Sequence, residues 1–274
     1  MGDPTKNAAI LQSPLRAGLF DGRVVVVTGG GTGIGRAIAL EMSALGAHIA
    51  VCGRRPEPVN EVAELITARG GQAFVDTCDI RDAERVGAYV DAVLARFGRI
   101  DVLVNNAGGQ FPSPAAVMSI KGFEAVVRNN LVGTFAFTQL VATKAMMPAR
   151  SGRIVNIIAN IARGFPGMAH TGAARAGVEN LTRSLAVEWA PYNIQVTAVA
   201  PGTIKSSGTD RYPPELLEKA REQNPSKRHG EPEEVAHLVA FLASDAADYI
   251  TGSVIYIDGG QSLWGNIWEV VAVD

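Results

Sequence analysis

Thr28-Gly29-Gly30-Gly31-Thr32-Gly33-Ile34-Gly35-Arg36 follows a run of valines and precedes an apolar, helix-like segment. Glycines let a turn take positive φ and let a phosphate come close to the backbone. The helix that follows turns its free N–H groups toward an anion. Pyrophosphate binding by Gly29, Thr32, Gly33, Ile34 and Gly35 is the chemistry this pattern serves. An ordinary glycine-rich turn is the competing reading, weakened by the strand before and the helix after. The next β-like run ends in Cys52-Gly53-Arg54-Arg55, with no carboxylate to take the hydroxyls of an adenine ribose. Arg54 and Arg55 carry planar guanidinium groups suited to a phosphate. NADP is therefore the favoured dinucleotide; the alternative is that both arginines only begin a solvated helix.

The elements that must hold these residues alternate along the chain. Arg23–Thr28, His48–Cys52, Ala73–Val75, Ile100–Val104, Arg153–Ile158, Ile194–Val199 and Val254–Ile257 read as strands. Between them Gly33–Leu45, Val59–Ala68, Arg81–Phe97, Leu131–Met147, Gly172–Trp189 and Glu231–Leu242 carry helical periodicity. The strands are continuous β-branched runs, as expected of a sheet covered on both faces. The fold class is α/β: one doubly wound Rossmann domain with a mostly parallel seven-stranded sheet, over residues 20–263. Residues 1–19 read as a loosely ordered extension and 264–274 as a tail. Residues 201–225, rich in proline and following a strand's carboxyl end, read as a substrate lid.

Composition narrows the function. The 274 residues carry 25 Lys and Arg against 27 Asp and Glu, a net charge of −2. That excludes a strongly basic nucleic-acid binder. Cys52 and Cys78 are too few for a disulfide scaffold or a cysteine-built metal site, and they fit a reducing compartment. No stretch approaches the ~20 apolar residues of a membrane span. Met1 to Phe20 lacks the compact apolar core of a secretory signal. The expectation is a cytoplasmic enzyme with no metal, no nucleic acid and no membrane partner.

Further segments carry a family resemblance. Asn105-Asn106-Ala107-Gly108 follows the fourth strand, and Asn130-Leu131-Val132-Gly133-Thr134-Phe135 reads as the opening of a long helix. With the glycine motif, Asp79, Pro201-Gly202 and Asp258-Gly259-Gly260, the chain resembles the short-chain dehydrogenase/reductase family over about residues 20–263. The resemblance implies that Asp79 and Ile80 meet the adenine. It puts Asn105, Ala107 and Gly108 along the ribose, with Pro201, Gly202 and Thr203 at the nicotinamide. It also implies a homo-tetramer; the apolar Leu263, Trp264, Ile267 and Trp268 read as interface anchors, with Trp268 packed on its own subunit's lid as the alternative.

The catalytic segment departs from the family's usual Ser, Tyr and Lys. The Ser position falls on Ala159, the Tyr on Thr171 and the Lys on Arg175; of the usual set only Asn130 remains. Gly109-Gln110-Phe111-Pro112-Ser113-Pro114 and His170 to Val178 resemble the peroxisomal trans-2-enoyl-CoA reductases and, more distantly, the 2,4-dienoyl-CoA reductases. That branch implies reduction of a carbon–carbon double bond conjugated to a thioester, with Gln110 and Phe111 at an acyl-CoA substrate. The Tyr assigned as proton acceptor in the peroxisomal enzymes falls on Glu179, which also reads as a solvated helix residue. A thioester-supporting Tyr of the mitochondrial type falls on Asn160. Hydride addition places charge on the thioester oxygen, which calls for preorganised donors. Asn130 and Asn160 are expected to converge on that oxygen, with His170 as a third donor. Arg175 is expected at the cofactor ribose. A helix cap for Asn130, a packed loop histidine for His170 and a surface helix residue for Arg175 are the plainer alternatives. A carbonyl reductase with a rearranged acid, or a dinucleotide-binding protein without turnover, remain the other two functions.

Overall fold

The computed structural model describes residues 13–206, 209 and 212–263. Five consecutive side chains of β1 (Val24–Thr28) are buried, because a parallel strand has no solvent face. Their alternation divides the core. Val25 and Val27 pack with α1 (Gly33–Ala44), α2 (Pro56–Thr67) and α9 (Pro232–Ala243). Val24 and Val26 pack on the opposite face with α3 (Ala83–Phe97) and α5 (Gly133–Val141). Each fully buried valine contributes about 1.5–3 kcal/mol of transfer free energy.

The other strands are β2 (His48–Gly53), β3 (Ala73–Thr77), β4 (Val102–Asn105), β5 (Gly152–Ile157), β6 (Ile194–Pro201) and β7 (Val254–Ile257). They form one all-parallel sheet in the order β3-β2-β1-β4-β5-β6-β7. After β3 the chain crosses back to the other side of β1. The carboxyl ends of β1 and β4 therefore flank the switch point where such sheets receive ligands.

The long helix differs from expectation. It begins at α4 (Ile120–Val127), where Ser119 Oγ accepts the Gly122 N–H at 3.0 Å. It continues through α5 to α6 (Met147–Ala149), interrupted by two wide π turns at Arg128–Val132 and Ala142–Met146. Asn130 is thus inside a helix, not at its start, and Ser119 is the cap.

The remaining helices are α7 (Ala169–Glu188), which begins before the expected Gly172, and α8 (Pro214–Glu222). Helix α8 lies within the expected lid. The base of that segment is clamped where Lys205 N–H meets Gly230 O at 2.9 Å and Gly230 N–H meets Thr203 O at 3.0 Å. Lid residues 207, 208, 210 and 211 lie outside the described residues, as do Trp264, Ile267 and Trp268 of the tail and residues 1–12. The described part of the expected loose extension is packed: Leu15 and Leu19 lie against the core, and Ser13 bonds Glu41. No helix among the described residues is long and apolar enough to cross a membrane.

Candidate active site

The turn between β1 and α1 is built for close approach. Gly29 has φ +63°, and a Cβ there would stand 2.9 Å from Ala107 Cα. Thr28 Oγ1 accepts the N–H groups of Asn106 and Ala107, each at 3.0 Å. Asn106 Nδ2 donates back to Thr28 O and Gly29 O. These bonds lock the ends of β1 and β4 together. Thr32 precedes α1 without a side-chain cap, and the first turn holds no acidic residue. The N–H groups there remain free for an anion, so the cradle fits a pyrophosphate. Across it, Ser206 Cβ comes within 3.3 Å of the point a Gly33 Cβ would occupy.

At the ends of β2 and β3, Arg54 and Arg55 are exposed, and neither has an ion-pair partner among the described residues. Asp79 is engaged by Arg81 at 2.5 Å, which holds its carboxyl below the usual range, and Arg54 adds to the effect. Ile80 turns inward, 6% exposed, against Gly133. The Asn105 side chain also faces inward: its amide donates to Thr138 Oγ1 at 2.7 Å and Asn156 Oδ1 at 2.8 Å. Both amide hydrogens are spent, so the expected Asn105 contact to a ribose is not available to that amide. Asn156 in turn donates to Thr182 on α7 at 2.9 Å.

The two expected oxyanion donors are both engaged within the chain. Asn130 is fully buried and donates to Gly109 O at 2.8 Å and Val126 O at 2.9 Å, while accepting the Gly109 N–H at 3.2 Å. Its N–H2 is consumed by the carbonyl the π turn sets free and by the loop after β4. Asn160, half-buried past β5, donates to Asp258 Oδ2 at 2.9 Å. Asp258 also accepts N–H groups from Gly260 and Ser262. This anchor was missed in the sequence, although Asp258-Gly259-Gly260 was visible as a motif.

His170, Thr171 and Arg175 do come together on the first turns of α7, all buried. His170 Nδ1 accepts the Thr171 N–H at 2.7 Å and lies 3.2 Å from Thr171 Oγ1. A flipped ring would press a C–H against that N–H, so Nδ1 is the acceptor and the ring hydrogen sits on Nε2. That Nε2 is buried without a partner among the described residues. Phe111 sits on the imidazole edge-to-face, with ring centroids 4.7 Å apart. Gln110 and Phe111 are exposed on the loop rim, and Ser113 N–H ties that rim to Gly167 O at 2.8 Å. Arg175 Nη1 donates to Ile157 O at 2.9 Å, and its Nε has no partner. Burial pushes this guanidinium down to about 10, still charged near neutral pH, with no carboxylate beside it among the described residues. Glu179 pairs with Arg183 at 2.5 Å on α7.

Known proteins share this arrangement of chain. The family model described as enoyl-(acyl carrier protein) reductase matches residues 29–262. A probable 2,4-dienoyl-CoA reductase of Bacillus subtilis is 39% identical over 246 residues, 88% of this chain and 97% of that protein. The 3-oxoacyl-[acyl-carrier-protein] reductase FabG of Staphylococcus aureus is 42% identical over 239 residues, 86% of this chain and 96% of its own. The solved structure of the citronellol catabolism dehydrogenase AtuB from Pseudomonas aeruginosa superposes with a TM-score of 0.84 at 46% identity, covering 92% of this chain and 100% of that one. On this sheet order, this glycine turn and these relatives, the chain belongs to the short-chain dehydrogenase/reductase family of oxidoreductases.

Proposed function

We propose that the chain is an NADPH-dependent reductase of the carbon–carbon double bond of an α,β-unsaturated acyl thioester, with enoyl-CoA as the reference substrate. Thr171 carries the reading. It stands at the position of the family's phenol, is 1% exposed, and its hydroxyl lies 3.2 Å from His170 Nδ1. A ketone needs a proton at its oxygen as hydride arrives, and an aliphatic hydroxyl is no acid near neutral pH. Conjugate reduction asks instead for fixed donors around an oxygen that becomes negative. The likeness to a dienoyl-CoA reductase over nearly its whole length supports the same choice.

Gly29, Thr32, Gly33, Ile34 and Gly35 would hold the pyrophosphate of NADP, and Arg54 and Arg55 its 2′-phosphate. Ala107, Gly108, Pro201, Gly202 and Thr203 would line the ribose and nicotinamide. Bound there, the reduced cofactor supplies a hydride. Arg175, a buried cation without a counter-ion, would bind the ribose hydroxyls and add positive potential to the site. Gln110 and Phe111 would meet the acyl group. Asp79 and Ile80 stay at the adenine end through their backbone, since both side chains are engaged elsewhere. The proposal extends to a cytoplasmic homo-tetramer, in which Val187 and Leu263, 77% and 88% exposed, are apolar side chains for neighbouring subunits to cover.

Carbonyl or alcohol chemistry is the second reading, favoured by the relationship to a 3-oxoacyl reductase at 42% identity. NADPH consumption with crotonyl-CoA, and in parallel with a 3-oxoacyl thioester, separates the two. Consumption of neither leaves a dinucleotide-binding protein without turnover.

A further inference from the structure

His170 is the buried polar group that the fold leaves least explained. It is 0% exposed, and its Nε2–H has no acceptor among the described residues. An orphaned donor costs about 1–3 kcal/mol of desolvation, and a folded protein seldom keeps one without a use. Its tautomer is fixed by its neighbour: the Thr171 N–H at 2.7 Å, with the hydroxyl at 3.2 Å, occupies Nδ1 and forces the proton to Nε2. One aromatic side chain packs directly on the ring. Phe111, 42% exposed on the loop after β4, lies edge-to-face on the imidazole and reaches solvent. Its far side rests on α4, where a Cβ at Gly122 would lie 3.2 Å from its Cζ. Meanwhile Asn130 has no hydrogen to spare and Asn160 is tied to Asp258.

We propose that the Nε2–H of His170 is the donor that receives the substrate's thioester oxygen, and that Phe111 is the cover the acyl group displaces to reach it. The assignment rests on the enoyl thioester reading above. A hydride and its electron pair form a C–H bond at the β-carbon. The π pair shifts to join the α-carbon to the carbonyl carbon, and the carbonyl π pair moves onto oxygen. The oxygen accepts the Nε2–H hydrogen bond without taking the proton, and solvent later protonates the α-carbon. Thr171 is a positioning residue in this scheme: it decides which nitrogen bears hydrogen.

The test begins with wild-type turnover of crotonyl-CoA by NADPH; its absence overturns the thioester reading itself. Given turnover, His170→Leu is expected to lower kcat/KM by about a hundredfold or more. His170→Gln, which restores an N–H donor, is expected to recover most of the loss, with NADPH affinity unchanged in both. Wild-type rates in a folded His170→Leu protein would overturn the role of His170 alone. A second measurement does not depend on a variant folding. In ¹⁵N-labelled wild type, butyryl-CoA, which cannot accept hydride, should move the His170 Nε2–H proton resonance downfield and perturb the Phe111 ring signals. Saturable binding that leaves both unmoved overturns the proposal.

Discussion

Arg175 Nη2 lies 2.5 Å from the point where a Cβ on Gly108 would stand, so the guanidinium fills the space that this glycine leaves open. Beside it, Asn130 Oδ1 lies 2.6 Å from the same point. Loop and helix therefore meet only because residue 108 has no side chain. The contact holds a buried cation beside the loop after β4 with no carboxylate partner among the described residues, a placement that costs desolvation.

Arg175→Met should separate those two roles. The guanidinium's value is lowered to about 10, so folding works against its charge at every pH below that. A methionine of similar length removes the buried charge at the cost of one hydrogen bond to Ile157 O. The apo protein should melt at the wild-type temperature or above, while NADPH affinity falls by roughly 10- to 150-fold, the worth of a charged contact of about 1.5–3 kcal/mol. Differential scanning fluorimetry and titration calorimetry read the two effects. A melting temperature several degrees lower would contradict the account. Gly108→Ala should cause the same loss of affinity by pushing the guanidinium aside.

Cofactor choice should reverse in Gly53→Asp with Arg54→Ala. A Cβ at Gly53 meets Val59 Cγ1 at 3.2 Å, a contact that needs only a small shift. The new carboxylate would take ribose hydroxyls and repel a 2′-phosphate. NADPH should be preferred by the wild type and NADH by the double variant, each about 10- to 150-fold by calorimetry. Equal affinities in the wild type would sink the assignment of Arg54.

Asn130→Ala should act on stability more than Asn160→Ala does. The first leaves the buried Val126 carbonyl without its 2.9 Å donor, worth about 1–3 kcal/mol. The second leaves Asp258 with its bonds from Gly260 and Ser262 and should cost about 0.5 kcal/mol or less. Urea unfolding curves of the two variants give the comparison, and equal midpoints would refute the bracing role of Asn130.

Acid stability should be sensitive to Glu234. Its carboxylate takes a bidentate pair from Arg228 at 2.6 and 2.7 Å and the Glu231 N–H at 2.8 Å, capping α9. The arginine hydrogen bond is the main cause that lowers its value from 4.5 to about 2. Folding thus favours the ionised form: the stabilisation is complete above about 4.5 and is lost as the pH falls toward about 2. With the side chain 38% exposed, solvent screening limits it to about 1 kcal/mol. The gap between wild type and Glu234→Gln should be present at pH 7 and close near pH 2.

The sequence by itself determined the sheet and the cofactor turn. Valine runs such as Val24–Val27, alternating with helical periods, admit few arrangements besides a parallel sheet covered on both faces. Glycine spacing between a strand and a helix likewise expresses purely local geometry. The tertiary structure decided what each polar group at the centre does, since an amide's partners come from residues far along the chain. Asn160 finds Asp258 98 residues away, and Asn130 spends its hydrogens on Gly109 and its own π turn. The helix before Asn130 was likewise hidden, because its wide turn is stabilised by that side chain and not by the 3.6-residue pattern. The free Nε2–H of His170 was legible in no motif: a donor is orphaned only when everything packed around it fails to accept.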